Sequence, residues 1–406
     1  MMLLFKIALR NVLRQKRRTI LTMLTMGGGF VLCAASIGWA DGAYGDIIYS
    51  FTSNQLGQIQ IHSEDYLDNP TIYKTIVDYE KVGKQVDSVE GVRNWTPRIY
   101  VGALGMVNQE VSGVQVVGID PLREDSTTNF NNMVTEGEPL PSLPGYDVLI
   151  GKGLAKVIKA ELGDSLVLLS QGADGSIANA KYGIMGIVES GEMGGDRMNC
   201  YIDIRSAQQL FVLDNQCHEI VITVEDISSV NSVTSSLRST VKSDKLDIQP
   251  WMVFAKSFYE VMRADMNGLW IQLGIIILLV AFGVLNTVLM SVLERQREFG
   301  LLKAIGTKPG MIIIQILLEM NLIAIFSVVS GSVVALGLLY WLSNYGISLS
   351  TPMTFGGVEI QQMKATINLR SFVIPLITVF ATTTVVSIFP AVKAARTDPV
   401  KTMRTN

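Results

Sequence analysis

Residues 274–290 read GIIILLVAFGVLNTVLM, and residues 291–298 continue as SVLERQRE. The first string sits inside an apolar segment from roughly Leu269 to Leu293. Crossing a bilayer takes about 20 such residues. The charges then arrive together, as Glu294, Arg295, Arg297 and Glu298. A helix that leaves hydrocarbon at that point is the simplest reading. Working outward, three more segments have the same character: roughly Ile20 to Ala40, Met311 to Leu342 and Phe372 to Val392. The first of these is longer than a secretory h-region of about 7–15 residues, and Asp41 and Gly42 follow it without a small-x-small cleavage site. It is therefore read as a span and not as a signal peptide.

Composition supports this. The 406 residues are 49% hydrophobic and 17% charged, whereas about a quarter of a soluble domain is charged. The mean hydropathy of +0.35 is nevertheless modest, so a large water-exposed part must dilute the spans. The expected fold is a membrane protein with four transmembrane α-helices and a large α+β extracytoplasmic domain inserted between helices 1 and 2. By residue, the expected plan is an amphipathic helix (1–18), the first span (19–42), the inserted domain (43–265) and the second span (266–293). A coupling segment (294–310), the third span (311–342), a short outer loop (343–370), the fourth span (371–393) and a tail (394–406) complete it.

Lysine and arginine in short flanks set the orientation. Lys6, Arg10, Arg14, Lys16, Arg17 and Arg18 precede the first span; Arg295, Arg297, Lys303 and Lys308 lie between the second and third; Lys393, Arg396, Lys401 and Arg404 follow the fourth. These flanks place both termini and the 294–310 loop in the cytoplasm. The net charge of −3 conceals acids gathered in the inserted domain and bases at the helix flanks. Such a basic edge suits an anionic lipid surface and gives no signal for nucleic acid.

Within the inserted domain, strands are expected at 58–63, 93–107, 114–120, 164–170, 182–190, 199–204 and 218–224, and helices at 74–88, 152–161, 205–213 and 227–242. The order suggests an α+β lobe (57–119 with 215–255) and a more β-rich insertion (120–214). Cys200 and Cys217 fall in this domain, as either a disulfide or two buried free thiols. Cys33 is a packing residue of the first span.

No catalytic residue set emerges. A phosphate-binding G-x-x-x-x-G-K-[ST] loop is missing, and the string from Gly145 to Lys152 reads as a turn into a helix. His62 and His218 are too few for a multi-histidine metal site, and Cys217 and His218, adjacent on a strand, face opposite ways. No metal and no cofactor is assigned to this chain. Asp174-Gly175 and Gly194-Gly195-Asp196 resemble turn chemistry.

Three other features invite a role. Residues 294–306 form either a short amphipathic helix that offers a face to a partner or a solvated loop. Gly27, Gly28 and Gly29 permit close helix approach in the first span, at a subunit interface or a lateral gate. Glu319 lies inside a span and should either pair with a polar group such as Asn286 or Asn321 or mark a cargo-facing cavity.

The motif E-R-x-R-E-x-G-x-L-K-A-I-G at 294–306, P-A-x-x-A-A-R-x-D-P-x-x-x-M-R at 390–404 and A-L-R-N-x-x-R-Q-K-R-R-T at 8–19 resemble the FtsX-type permease domain. Lipoprotein-releasing permeases (LolC/LolE), MacB-type exporters and FtsX share it, and the topology of one span, an outer domain and three spans covers the whole chain. Within this superfamily, Gly57–His62 with Tyr66–Asp68, Gly175–Ala180 and Val188–Asp196 are most similar to the LolC/LolE-like group. The resemblance implies a subunit of an ATP-driven complex in the bacterial inner membrane, with ATP and Mg bound by two copies of a separate cytoplasmic ABC ATPase. It also implies a second permease subunit, identical or paralogous, and a periplasmic chaperone or adaptor. Glu294, Arg295, Arg297, Glu298 and Lys303 would then contact the ATPase through polar groups, Phe299 and Leu302 would supply the apolar contacts, and Gly306 would end the coupling helix. The cargo implied is a lipoprotein or another hydrophobic molecule. MacB-like efflux of peptides or drugs, and FtsX-like control of a cell-wall hydrolase, are the other activities the superfamily offers.

Overall fold

The computed structural model describes residues 2–396 apart from 15, 53–55, 192, 242, 244, 356 and 357. The chain forms two compact units: Met1–Gly45 with Met262–Leu349 and Gln362–Asn406, and Asp46–Val261 with Ser350–Gln361.

Four long helices, Lys16–Phe51, Lys256–Glu294, Pro309–Tyr345 and Arg370–Ala395, supply most of the first unit. All four are long and apolar enough to cross a membrane. An amphipathic helix, Met2–Arg14, precedes them, and it buries Ala8 and Val12 while Lys6, Arg10 and Arg14 are exposed. A short helix, Gln296–Ala304, links the second and third long helices. It ends at Gly306, whose φ of +93° is a left-handed conformation that suits glycine. The third long helix starts with Pro309 in its first turn, where a missing N–H costs nothing.

One apolar core joins these pieces. Val12 of the amphipathic helix, Phe30 of the first long helix, Val284 of the second, Phe299 of the linking helix, Ile316 of the third and Ala391 of the fourth all belong to it. The first and third long helices approach closely: a Cβ at Gly331 would lie 3.1 Å from the Gly27 carbonyl oxygen. Small residues at such crossings let backbones meet.

The second unit is built on a ten-stranded sheet. Its order is Leu246–Pro250, Ile59–Ser63, Glu219–Val224, Val92–Val107, Glu110–Ile119, Asn199–Asp203, Asp147–Gly151, Ile177–Val188 and Val134–Gly137, with Ser165–Gln171 paired to both Val92–Val107 and Ile177–Val188. The strands of the expected lobe (57–119 with 215–255) and those of the expected insertion (120–214) each fill one contiguous half of this order, and the two halves are joined in one continuous sheet. The cause is the length of Val92–Val107: its first half pairs with Glu219–Val224 and its far end, Leu104–Met106, with Val167–Leu169. A parallel pairing of Gln115–Ile119 with Asn199–Asp203 closes the join.

Two α-helices of this unit, Pro121–Thr128 and Ile204–Phe211, begin with side-chain caps that the sequence supplies. The Asp120 carboxylate accepts from the Leu122 and Arg123 N–H groups at the start of Pro121–Thr128, and Asp203 does the same for Arg205. Lys152–Ile158 follows strand Asp147–Gly151 directly, so the Gly145 to Lys152 string is a strand running into a helix.

Cys200 and Cys217 are both free and buried, which removes the disulfide alternative. Cys200 pairs with Val116 in the large sheet, whereas Cys217 pairs with Ile76 in a separate two-stranded ribbon. Burial pushes the Cys200 thiol up to about 12 and raises the Cys217 thiol as well. The Asp398–Pro399 stop and the basic residues Lys401 and Arg404 lie outside the described residues.

A charged clamp beneath an exposed helix face

The linking helix is amphipathic, and the structure decides which face goes inside. Phe299 is 1% exposed and packs into the core of the long helices. Leu302 is half-buried against the same core. The expectation that Phe299 supplies an apolar docking contact is therefore corrected, whereas Leu302 keeps part of its surface exposed. The exposed face instead carries Glu294, Arg297, Glu298, Leu301, Ala304 and Ile305, with Leu301 59% and Ile305 74% exposed. Those positions recur at helical spacing, polar at the start and apolar at the end.

Arg295 is buried and points the other way. Its Nη1 lies 2.8 Å from Glu319 Oε2 on the third long helix, and its Nε lies 2.8 Å from Glu298 Oε2. The guanidinium also sits 5.1 Å from the Phe299 ring centroid. Burial by itself lowers the Arg295 pKa, but the Glu319 and Glu298 carboxylates outweigh it and leave the group raised and firmly cationic.

Glu319 is 8% exposed. It accepts a hydrogen bond from Asn11 Nδ2 at 2.6 Å and from Gln315 Nε2 at 3.3 Å. Pairing of this acid was expected, but with Asn286 or Asn321. Asn321 instead donates to the Leu317 carbonyl one turn earlier and accepts from the Thr384 hydroxyl on the fourth long helix, and Asn286 lines a separate groove. Three elements therefore converge on one carboxylate: the amphipathic helix through Asn11, the linking helix through Arg295 and the third long helix itself. A fourth contact fixes the far end of the linking helix, where Lys303 Nζ donates to the Ala395 carbonyl at 2.9 Å. A cation at a helix C-terminus is favoured by the free carbonyls there.

Gly27, Gly28 and Gly29 do different things. A Cβ at Gly27 would stand 3.2 Å from the Ser327 carbonyl oxygen, and one at Gly29 would collide with Val280 of the second long helix. Gly28 faces open space. The first and third of these glycines thus serve packing within the chain.

The inserted domain holds a second polar centre, which carried no sequence signal. Buried Arg98 donates from Nε to Glu124 Oε2 at 3.1 Å and from Nη2 to the other oxygen. Glu219 Oε1 lies 3.8 Å from Arg98 Nη1, and Glu219 Oε2 lies 3.2 Å from His62 Nε2. A cavity of about 310 Å³, lined by Arg98, Tyr100, Gln115, Glu124, Asn199 and Tyr201 among others, opens beside it. Arg98 and Glu124 neutralise each other there. Among the described residues no group of three or more His, Cys, Asp or Glu is placed to hold a metal ion.

Two family models match the chain. The MacB-like periplasmic core domain covers residues 19–240, and the FtsX-like permease C-terminal domain covers residues 270–399. The lipoprotein-releasing system transmembrane protein LolC of Neisseria meningitidis is 22% identical over 86% of this chain and 86% of its own length. The uncharacterized ABC transporter permease YknZ of Bacillus subtilis is 23% identical over 98% of both chains. The macrolide export ATP-binding/permease protein MacB of Campylobacter jejuni is 23% identical over 98% of this chain and 61% of that protein.

Proposed function

As the chain belongs to the MacB, LolC/LolE and FtsX family of ABC transporter permeases, we propose that it carries the motion of a cytoplasmic ATPase into its inserted domain, which lies outside the inner membrane. Two permease chains, identical or paralogous, work with two ATPase subunits that bind ATP and Mg. The observation that carries this reading is the linking helix. Its outer face presents Glu294, Arg297, Glu298, Leu301 and Ile305, while Arg295 and Phe299 hold its inner face to the long helices. A helix docked by one face and clamped by the other passes a push from the ATPase to the third long helix and, through Asn11, to the amphipathic helix.

The cargo we favour is a lipoprotein or a similarly hydrophobic molecule, handed on to a periplasmic chaperone or adaptor. The similarity to a lipoprotein-releasing permease over 86% of each chain supports this. Co-purification of the native complex followed by mass spectrometry of bound lipids and lipoproteins tests the cargo. Arg297→Glu tests the docking face: it should abolish co-purification of the ATPase, and a variant that retains both the ATPase and coupled activity would refute the docking role. Cysteine accessibility of Leu143→Cys, at a position 76% exposed, tests the sidedness, and labelling from the cytoplasm would reverse it.

A further inference from the structure

A groove of about 690 Å³ lies between the start of the first long helix and the end of the second. Arg14, Lys16, Arg17, Arg18, Leu21, Asn286, Thr287, Met290 and Glu294 line it. Its charge is one-sided, with four cations and one acid. That acid is already engaged, since Arg18 Nη1 stands 3.4 Å from Glu294 Oε2. Arg14, Lys16 and Arg17 are exposed. The end of the groove away from these cations is closed: a Cβ at Gly283 would collide with Thr25, so the two helices touch there. Seven residues separate Thr25 from Arg18, or roughly 10 Å along a helix. Over that distance Leu21 and Met290, both largely exposed, stand beside the polar Asn286 and Thr287, and the same helix faces continue with exposed Leu24, Leu279 and Phe282.

We infer that this groove holds one anionic phospholipid of the adjoining leaflet. The phosphate would sit among Arg14, Lys16 and Arg17, at the first turn of Lys16–Phe51, whose amide N–H groups lack intrahelical partners and favour an anion. The glycerol and the first methylenes would lie on Leu21 and Met290, and the acyl chains would follow the apolar faces outward. Three cations beyond the Arg18–Glu294 pair call for a lipid with net negative charge; a zwitterionic headgroup would bring its own ammonium into a cationic site. The lipid would fill the notch between the Thr25–Gly283 contact and the Arg18–Glu294 pair, and would brace the base of both helices.

The choice of leaflet rests on the cytoplasmic N-terminus proposed above, but the groove does not. Native mass spectrometry of the full chain released from nanodiscs of equal phosphatidylcholine and phosphatidylglycerol reads the groove whichever way it faces. Labelling of Lys16→Cys in inverted and right-side-out vesicles reads the sidedness alone. The wild-type chain should keep phosphatidylglycerol over phosphatidylcholine by roughly tenfold, given the strength of basic groups near anionic lipid. Arg14→Gln with Arg17→Gln should lose that preference, Leu21→Asp should lose it too, and Arg14→Lys with Arg17→Lys should keep it. Equal retention of the two lipids, retention by the glutamine variant, or loss in the lysine variant would each overturn the proposal. Release of the lipid by millimolar inorganic phosphate would reassign the site to a free anion. Disulfide cross-linking of two Met290→Cys chains with no lipid retained would reassign it to a second copy of the chain.

Discussion

Arg295 Nη1 and Glu319 Oε2 are 2.8 Å apart, and this contact joins the linking helix to the third long helix at a point where both groups are buried. Two further hydrogen bonds, from Asn11 and Gln315, occupy the other carboxylate oxygen. A buried pair of this kind adds little net stability compared with apolar residues of the same size, yet removal of one partner strands a charge and costs about 3–5 kcal/mol. Arg295→Met alone and Glu319→Leu alone should therefore both lower the melting temperature of the full chain sharply. The double variant should recover much of the loss. If the clamp carries motion, that double variant folds but uncouples ATP hydrolysis from transport. A double variant as unstable as the sum of the singles would show that the two side chains do not act as a pair.

Phe299 and Leu301 stand two residues apart and face opposite ways, so their substitutions should separate stability from binding. Phe299→Ala opens the core of the long helices, and truncation of a buried phenylalanine costs about 3–5 kcal/mol. Leu301→Asp and Ile305→Asp alter exposed positions. They should leave the melting curve unchanged and weaken capture of the ATPase by roughly tenfold or more, as for the apolar centre of an interface. Pull-down of the ATPase beside a thermal melt of each variant checks both halves.

Part of this architecture was legible from residues alone. The four spans were, because more than about 20 consecutive apolar residues have few other uses. Strands such as Ile59–Ser63 and Val92–Val107 also stood out, within a residue or two of their observed ends. Asp147–Gly151 escaped notice because it is short and almost wholly buried, so its residues show no alternation of polar and apolar. For residues 294–306 a helix and a solvated loop were both open, and periodicity defines faces without saying which one meets the core. Phe299 lies inward as part of the long-helix core to which Val12, Ile316 and Ala391 also belong, and nothing local encodes that. The partner of Glu319 was missed for a related reason. Arg295 is 24 positions away, and only the reversal of direction between the second and third long helices brings the two together. A motif rich in both signs, followed by a lone acid in a span, is the one hint the chain offered.

The cysteines give a direct chemical test. All three are buried, and in the inserted domain burial holds the Cys200 thiol at about 12 and raises Cys217 too. At neutral pH the folded chain should react with maleimide slowly or not at all, since the thiolate is the nucleophile. In denaturant without reductant, all three should react. A count of one thiol under those conditions would mean that Cys200 and Cys217 are bridged.

His218 should make the stability of the inserted domain fall with acid. Burial lowers its pKa from the ordinary 6.5. The geometry agrees: Nδ1 accepts from the Tyr100 N–H at 3.0 Å, and Nε2 donates to the Ile72 carbonyl at 3.2 Å, so the neutral ring already uses both nitrogens. Protonation at Nδ1 would break the first bond. Above pH 6.5 the ring is neutral in both the folded and unfolded chain, and the stability is fully present. As the pH falls below 6.5 the unfolded chain binds a proton that the folded chain does not, so stability is lost down to the folded pKa. His218→Asn keeps an acceptor near Nδ1 and has no titration in this range. Thermal melts of the full chain between pH 7.5 and the acid limit should show a shallower slope for the variant; parallel slopes would remove His218 as the cause.

The three successive glycines of the first long helix should respond to substitution in order of what they face. Gly28 looks into open space, so Gly28→Ala should change stability by no more than about 0.5 kcal/mol. Gly27→Ala brings a methyl group within 3.2 Å of the Ser327 carbonyl oxygen, which obliges the first and third long helices to separate by a few tenths of an ångström. Gly29→Ala places its methyl group on Val280, a branched side chain that is itself buried, so the second long helix must move or Val280 must change rotamer. Overpacking of that kind costs about 1–3 kcal/mol. Val280→Ala should then rescue Gly29→Ala, because it removes the atoms that the new methyl group meets, and it should not rescue Gly27→Ala. Melting temperatures of the three glycine variants, of Val280→Ala and of its doubles with Gly27→Ala and Gly29→Ala decide the matter. Equal effects at positions 27, 28 and 29 would mean that the glycines serve the flexibility of the helix and not its close contacts with two different neighbours.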